Sequence, residues 1–290
     1  MKISIITPCR NAERYIAETI ESVITQRGDF DLEYVIIDGA SSDRTLEIAT
    51  GYRERLESGT FPLACRSVSM EVLSEPDSGM YDALAKGLSR ISGEVVAYLN
   101  ADDIYFPNAL STVVAIFREH DEVCWTTGMC TVLNEWGQVT STVLPLSYSR
   151  DLIRAGVYGR IHINTIQQES TFWRVSLLSG LDTEKLRCFK LAGDFYLWSR
   201  FAQKNELWII QSCLGGFRSH SGQLSRQRDA YREEMDAIAS TAGPVQRVRA
   251  YLQLLGTYFL PDRLKRMLNR RILHYSDGRW SCSPHTYLRH

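Results

Sequence analysis

Two carboxylates stand side by side at Asp102 and Asp103, directly after the apolar run Val95-Val96-Ala97-Tyr98-Leu99. Like charges at the end of a buried strand repel each other, and they are tolerated where they are solvated or share a positive partner. A hard divalent cation is one such partner. It takes one or two carboxylates and completes its shell with water and phosphate oxygens. Held there, it neutralises charge that builds on a departing diphosphate. Two further carboxylates follow apolar runs in the same way, Asp38 after "EYVII" and Asp77 after "MEVLSEP". For any one of them the ordinary alternative is a helix cap or a turn, where Asp is common. Three together point to one lined crevice.

The elements that must position these groups alternate in kind. Residues 2–7 are β-branched and read as a strand. Asn11 is expected to cap a helix whose apolar face is Ile16, Ile20, Val23 and Ile24. Residues 33–38 form a second strand, and Ser41 or Ser42 then caps a helix carrying Leu46, Ala49, Tyr52 and Leu56. Residues 70–76 make a third strand. A helix over 79–91 turns Tyr81, Leu84, Leu88 and Ile91 to one side. Residues 94–99 are a fourth strand, and Pro107 opens the next helix at its first turn. Such alternation predicts an α/β unit with a largely parallel sheet, whose ligands bind beyond the carboxyl ends of the strands.

The pattern changes after residue 122. Strands joined by a turn at 134–137 are expected there, then a helix over 193–203 and strand character over 206–220. The last fifty or so residues read as helical with no new strand, ending in an irregular tail over 276–290. Trp173, Trp198 and Trp208 lie in apolar-periodic stretches and read as core, not as sugar platforms.

Bulk properties exclude several classes. Thirty-three Lys and Arg stand against 34 Asp and Glu in 290 residues, so nothing pulls the whole chain toward nucleic acid. Seven scattered cysteines form no C-x-x-C pair, which suggests neither a zinc site nor a disulfide framework and fits a reducing cytoplasm. The first apolar run is too short for a signal peptide, and no stretch reaches bilayer-spanning length. Residues 244–290, however, carry nine Lys and Arg against two Asp and Glu. These are interleaved with leucines and aromatics, so peripheral contact with an anionic membrane and packing on an acidic body are both open. The loop after the first strand, "TPCRNAERY", is neither G-x-G-x-x-G nor G-x-x-x-x-G-K-[ST], so backbone cradling of a dinucleotide or of ATP is not indicated.

Four segments occur in order: "ISIITPCRNAERYIAETIESVITQ", "YVIIDGASSDRTLEI", "SEPDSGMYDALAKGLSRISGEVVAYLNADDIYFPNAL" and "IQQESTFWRVSLL…KLAGDFYLWSRFA". Together they resemble a family 2 glycosyltransferase of the GT-A fold, of the bacterial surface-glycan type. The resemblance runs from residue 2 to about residue 225. It implies a GT-A domain over 1–225, with a nucleotide-sugar-binding half at 1–121 and an acceptor-side half at 122–225. A helical C-terminal extension over 226–290 follows.

The resemblance also implies inverting transfer from a UDP-, GDP- or dTDP-linked sugar, with Mg²⁺ or Mn²⁺, to a glycan or lipid-linked acceptor. The setting it implies is the cytoplasm or the inner face of its membrane. Carried over residue by residue, Pro8 and Arg10 flank the nucleobase and Asp38 accepts a hydrogen bond from it. Asp77 and Asp82 face the donor. Asn100 and Ala101 precede Asp102, the metal carboxylate of a D-x-D motif, with Asp103 in support. Asp194 matches the catalytic base, and His220 a histidine beside the diphosphate and metal. Asn100 departs from D-x-D, Arg10 from a frequent aromatic, and "QQES" from a frequent His-Gln pair, which leaves Gln168 and Glu169 as acceptor-side residues without a fixed role. Two other classes stay open: a sugar nucleotidyltransferase, and a non-catalytic sugar-nucleotide-binding relative.

Overall fold

The run Lys2–Cys9 (β1) is buried from Ile3 onward, as a largely apolar strand covered on both faces must be. In the computed structural model, which describes residues 1–160, 165–239 and 242–282, it is flanked by two parallel neighbours. Gly28–Asp38 (β2) pairs on one side and Val95–Tyr98 (β4) on the other, and Cys65–Ser74 (β3) forms the edge beyond β2. The second and third strands thus begin earlier than apolar patterning suggests, because their first residues alternate in burial instead of forming a solid apolar run.

Beyond β4 the sheet continues through Thr171–Arg174 (β9), Trp125–Thr127 (β6) and Leu207–Ile210 (β10). The strand β9 runs antiparallel between β4 and β6, and the others keep the parallel sense, giving a mostly parallel α/β sheet. A smaller sheet crosses at its carboxyl end, in the order Ile104–Tyr105 (β5), Gly215–Arg218 (β11), Cys130–Leu133 (β7) and Val139–Val143 (β8). The turn at 134–137 closes β7 onto β8, with Gly137 at φ +79°. Trp173 and Trp198 are core residues, 5.8 Å apart between ring centroids, and Trp198 stacks on Trp125 at 5.7 Å.

Three local expectations are corrected. Asn11 does not cap the helix Ile16–Ile24; its Oδ1 accepts from the Ser42 amide at 2.9 Å, and its own amide donates to Ser41 Oγ at 2.8 Å. The helix Thr45–Glu57 is not capped by Ser41 or Ser42 either, because Asp43 Oδ1 accepts from the Thr45 amide at 3.0 Å. These side chains stitch together the two loops that leave β1 and β2. Pro107 precedes the helix Ala109–Glu119 instead of lying in its first turn, since Asn108 between them is left-handed at φ 65°.

The C-terminal segment is helical over Arg228–Ile238, Pro244–Phe259 and Asp262–Leu268. It then departs from the all-helical expectation. Ile272–Ser276 (β12) pairs in parallel with β10 and turns into Arg279–Ser281 (β13), so the main sheet reaches nine strands. Residues 276–282 of the expected irregular tail therefore include a strand, and 283–290 lie outside the described residues.

Candidate active site

Register brings the ends of four strands together. Cys9 pairs with Asp38, Asp38 with Ser74, and Ile6 with Tyr98, so the loops after β1, β2, β3 and β4 leave from one edge. Asp38 is on the floor of that edge and has no exposed surface. Its Oδ2 accepts from Ser74 Oγ at 2.6 Å and from the Ser41 amide at 3.0 Å, while Oδ1 takes the Ser41 hydroxyl. Both carboxylate oxygens of Asp38 thus accept hydrogen bonds within the protein and organise the loop. Pro8 is buried inside β1, and Arg10 stands exposed at the rim.

Asp77 is half-buried, and its Oδ1 accepts from the Gly79 amide at 2.9 Å. It packs so closely over Gly39 that a Cβ there would collide with its carboxylate. Asp82 is buried, not facing open space: it accepts from the Ser78 amide at 2.9 Å and pairs with Arg187 at 3.4 Å. It shapes the loop that carries Asp77.

The adjacent aspartates point to different partners. Asp102 is half-buried, and its Oδ2 lies 2.8 Å from His220 Nε2. No hydrogen bond reaches its Oδ1 among the described residues. Asp103 is buried: its Oδ1 accepts from the Arg218 amide at 2.8 Å and its Oδ2 from Asn100 Nδ2 at 3.3 Å. Burial first, then the charges of Asp102 and Glu169, push its carboxyl well above the usual range. Asp103 is therefore turned into the protein, away from the position of a metal ligand. Ala101 is buried between Asn100 and Asp102.

The positive group behind the pair is Arg218, which patterning did not single out. It is 1% exposed. Its Nε donates to the Asp102 carbonyl at 2.8 Å, its guanidinium pairs with Glu18 at 2.7 Å, and it stacks over Tyr15 at 5.0 Å. Tyr15 in turn packs on His220, ring centroids 4.9 Å apart.

Asp194 lies in the first turn of the helix Gly193–Phe201. Its Oδ1 accepts from the Phe195 amide at 2.7 Å and from the Tyr231 hydroxyl at 3.0 Å. Burial raises its carboxyl to about 6, with these hydrogen bonds opposing the rise. The preceding loop is pinned by Glu234, whose carboxylate accepts from the amides of Lys190, Leu191 and Ala192 at 2.9, 2.9 and 2.8 Å. Tyr231 and Glu234 were missed, though their i, i+3 spacing puts both on one helix face.

Glu169 and Gln168 are both buried. Gln168 donates to the Tyr98 carbonyl. Burial pushes Glu169 up to about 8, and the charges of Asp102 and Asp194 both add to the rise. Glu169 therefore lies within electrostatic reach of both Asp102 and Asp194.

Among the described residues no three His, Cys, Asp or Glu side chains converge as a self-sufficient metal site. Asp102, with one free oxygen and His220 beside it, fits a cation that draws most of its shell from phosphate and water.

A mostly parallel sheet with acids at its carboxyl edge is the architecture of nucleotide-sugar transferases of the GT-A class. TarS of S. aureus, solved in complex with UDP-GlcNAc, superposes at a TM-score of 0.57 with 18% identity over 92% of this chain and 70% of that one. A mannosyltransferase of Pyrobaculum calidifontis, solved with GDP-Man and Mn²⁺, gives 0.55 with 16% identity over 91% of this chain and 71% of that one. Residues 4–174 match the glycosyl transferase family 2, and the chain belongs to that family.

An uncharacterised glycosyltransferase of Nostoc is 32% identical over 123 residues, covering 42% of this chain and 35% of that one. A PGL/p-HBAD biosynthesis glycosyltransferase of Mycobacterium bovis is 32% identical over 120 residues, 41% of this chain and 42% of that one. The chain thus spans less than half the length of these two relatives.

Proposed function

We propose that the chain transfers a sugar from a nucleotide-diphosphate donor to an acceptor hydroxyl with inversion. The observation that carries this reading is the placement of Asp102, paired with His220, and Asp194 about the same buried Glu169. One carboxylate is then available on the diphosphate side and another on the acceptor side. Solved relatives of the same fold carrying UDP-GlcNAc or GDP-Man and Mn²⁺ support a sugar-nucleotide donor and a divalent cation. In this reading residues 1–121 hold the donor and 122–225 the acceptor.

Asp194 takes the proton from the acceptor hydroxyl, for which a carboxyl titrating near 6 is ionised and still basic at neutral pH. The freed oxygen pair forms a bond to the anomeric carbon. The bond from that carbon to the phosphate oxygen breaks on the opposite face, and its electrons leave with the nucleoside diphosphate. Asp102 and His220 would hold Mg²⁺ or Mn²⁺, which when bound supplies positive charge to the leaving diphosphate. Arg218 fixes the Asp102 backbone, and Glu234 with Tyr231 fixes Asp194, so the charges are oriented before substrate arrives.

The test is incubation with a panel of UDP-, GDP- and dTDP-sugars plus Mn²⁺. Slow donor hydrolysis releasing nucleoside diphosphate is expected. Release of pyrophosphate from a nucleoside triphosphate and a sugar phosphate would instead identify a nucleotidyltransferase.

A further inference from the structure

The helix Pro244–Phe259 is packed the reverse of an ordinary surface helix. Its small and polar side faces inward: Ala250 and Thr257 are buried, and Thr257 Oγ1 accepts from the Leu146 amide at 2.9 Å. Gly256 lies against Leu146, where a Cβ would collide. Its apolar side faces out. Val245, Val248, Leu252, Leu255 and Phe259 recur at spacings of three and four, and all are exposed, Leu252 at 62% and Phe259 at 79%. Tyr251 and Tyr258 border this stripe and are exposed too. At about 100° per residue these seven side chains cover an arc of about 140°, centred opposite the packed side. Leu264, Met267 and Leu268 of Asp262–Leu268 extend the exposed apolar surface. Contiguous apolar exposure on this scale marks a docking surface.

Charge identifies the occupant. On the same wheel Arg247 and Arg249 fall on the two edges of the arc, and the helix Pro244–Phe259 contains no carboxylate. Arg263 and Arg270 stand exposed beside the second helix. Beside the helix Pro244–Phe259 a concavity of about 430 Å³ is lined by Arg150, Arg154, Arg249 and Arg271, of which Arg249 pairs with Asp151 at 2.6 Å and Arg271 with Glu206 at 3.2 Å, so the lining keeps an excess of positive charge. A second copy of this face would bring arginines against arginines with no acid on Pro244–Phe259 to meet them, although the three-four spacing would suit helix pairing. A surface of anionic lipid headgroups meets both features. Its interior accepts the leucines and Phe259, its boundary accepts Tyr251 and Tyr258, and its phosphates meet the arginine borders.

We propose that the outward face of Pro244–Phe259 and Asp262–Leu268 lies in the interface of an anionic bilayer. Among the described residues no helix is long and apolar enough to cross a membrane, so the attachment is along the surface. The inference does not depend on the transferase reading.

The experiment is flotation of the full chain with vesicles of phosphatidylcholine alone, or of phosphatidylcholine with phosphatidylglycerol, at low and high salt. The chain is expected to float with the anionic vesicles, and high salt is expected to weaken that binding. The double variant Leu252→Glu with Leu255→Glu should bind at least about tenfold more weakly. Arg247→Glu with Arg263→Glu should remove the preference for anionic lipid. Melting temperature should hold in both variants, because the substituted side chains are exposed. Failure to float at low salt overturns the proposal, as does flotation indifferent to the leucine pair. So does sedimentation velocity showing a dimer that the leucine variant splits, which would assign the face to a second copy.

Discussion

The Tyr231 hydroxyl donates to Asp194 Oδ1 at 3.0 Å, from a helix 37 residues further along the chain. The protonation of the proposed base is thus tuned by a side chain outside its own helix. Burial raises Asp194 to about 6, and the Tyr231 hydrogen bond holds it below where burial alone would put it. Transfer should therefore fall as pH drops through about 6. Tyr231→Phe removes the donor, so the acidic limb of the rate profile should move to higher pH. A limb that stays in place in this variant would mean that a group other than Asp194 titrates there.

The same shift makes a stability prediction of definite sign. The Asp194 carboxyl binds its proton more tightly folded, near 6, than unfolded, near 3.8. Between those values the native state holds more protons, so stability falls as pH rises through the window. The ionised form carries a penalty at neutral pH on the order of 3 kcal/mol. Asp194→Asn keeps an oxygen acceptor for Tyr231 and the Phe195 amide but no charge. Thermal denaturation at pH 7.5 (a value on the order of one unit above the window) should show the variant more stable than wild type, and the difference should vanish toward pH 4, on the order of the unfolded value. Donor affinity measured by calorimetry should be retained while transfer is lost.

The alternating strands and helices of the first 120 or so residues were legible because β-branched and apolar periodicity is local. So was the core role of Trp173 and Trp198. What patterning could not show was long-range. Ile272–Ser276 is short, with His274 and Ser276 among its residues, and its strand identity comes from pairing with Ile209 and Ile210 far away in sequence. Asn11 and Ser41 have the chemistry of caps, yet their partners lie about 30 residues off in the facing loop. Asp102 and Asp103 are neighbours in sequence but face different surroundings, because they sit in a turn that the Asp103 amide closes on the Asn100 carbonyl at 3.1 Å, a contact sequence patterning did not show. Asp38 and Asp82 read as ligand-facing acids from their place after strands, and their burial and loop hydrogen bonds are features that sequence does not display.

Asp102→Asn should lose metal-dependent transfer by orders of magnitude, and it has a signature apart from activity. Asp102 adds to the upward push on both Asp103 and Glu169, so its neutralisation relieves repulsion. The melting temperature in EDTA should be unchanged or raised. Wild type should gain stability on titration with Mn²⁺, since a ligand that binds only the folded state stabilises it, and the variant should gain little. Equal Mn²⁺ stabilisation of both proteins would move the cation away from Asp102.

Arg218 carries the last prediction. Its guanidinium reaches the Asp102 carbonyl, the Glu135 carbonyl at 3.2 Å and the Glu18 carboxylate, and lies over Tyr15 at 5.0 Å from the ring centroid. A lysine preserves the charge but not the planar fork, so it cannot serve three directions and stack at once. Arg218→Lys should then leave the Asp102 and Glu135 carbonyls short of a donor at a cost of about 1–3 kcal/mol, read as a fall of several degrees in melting temperature. The loss should also reach chemistry. With its carbonyl released, the loop carrying Asp102 loses the tether opposite His220, so donor turnover should drop even at temperatures where the variant is folded. Should Arg218→Lys instead match wild type in both melting and turnover, the buried guanidinium is not what holds the two aspartates in place, and the repulsion between Asp102 and Asp103 must be met by His220 and Asn100 alone.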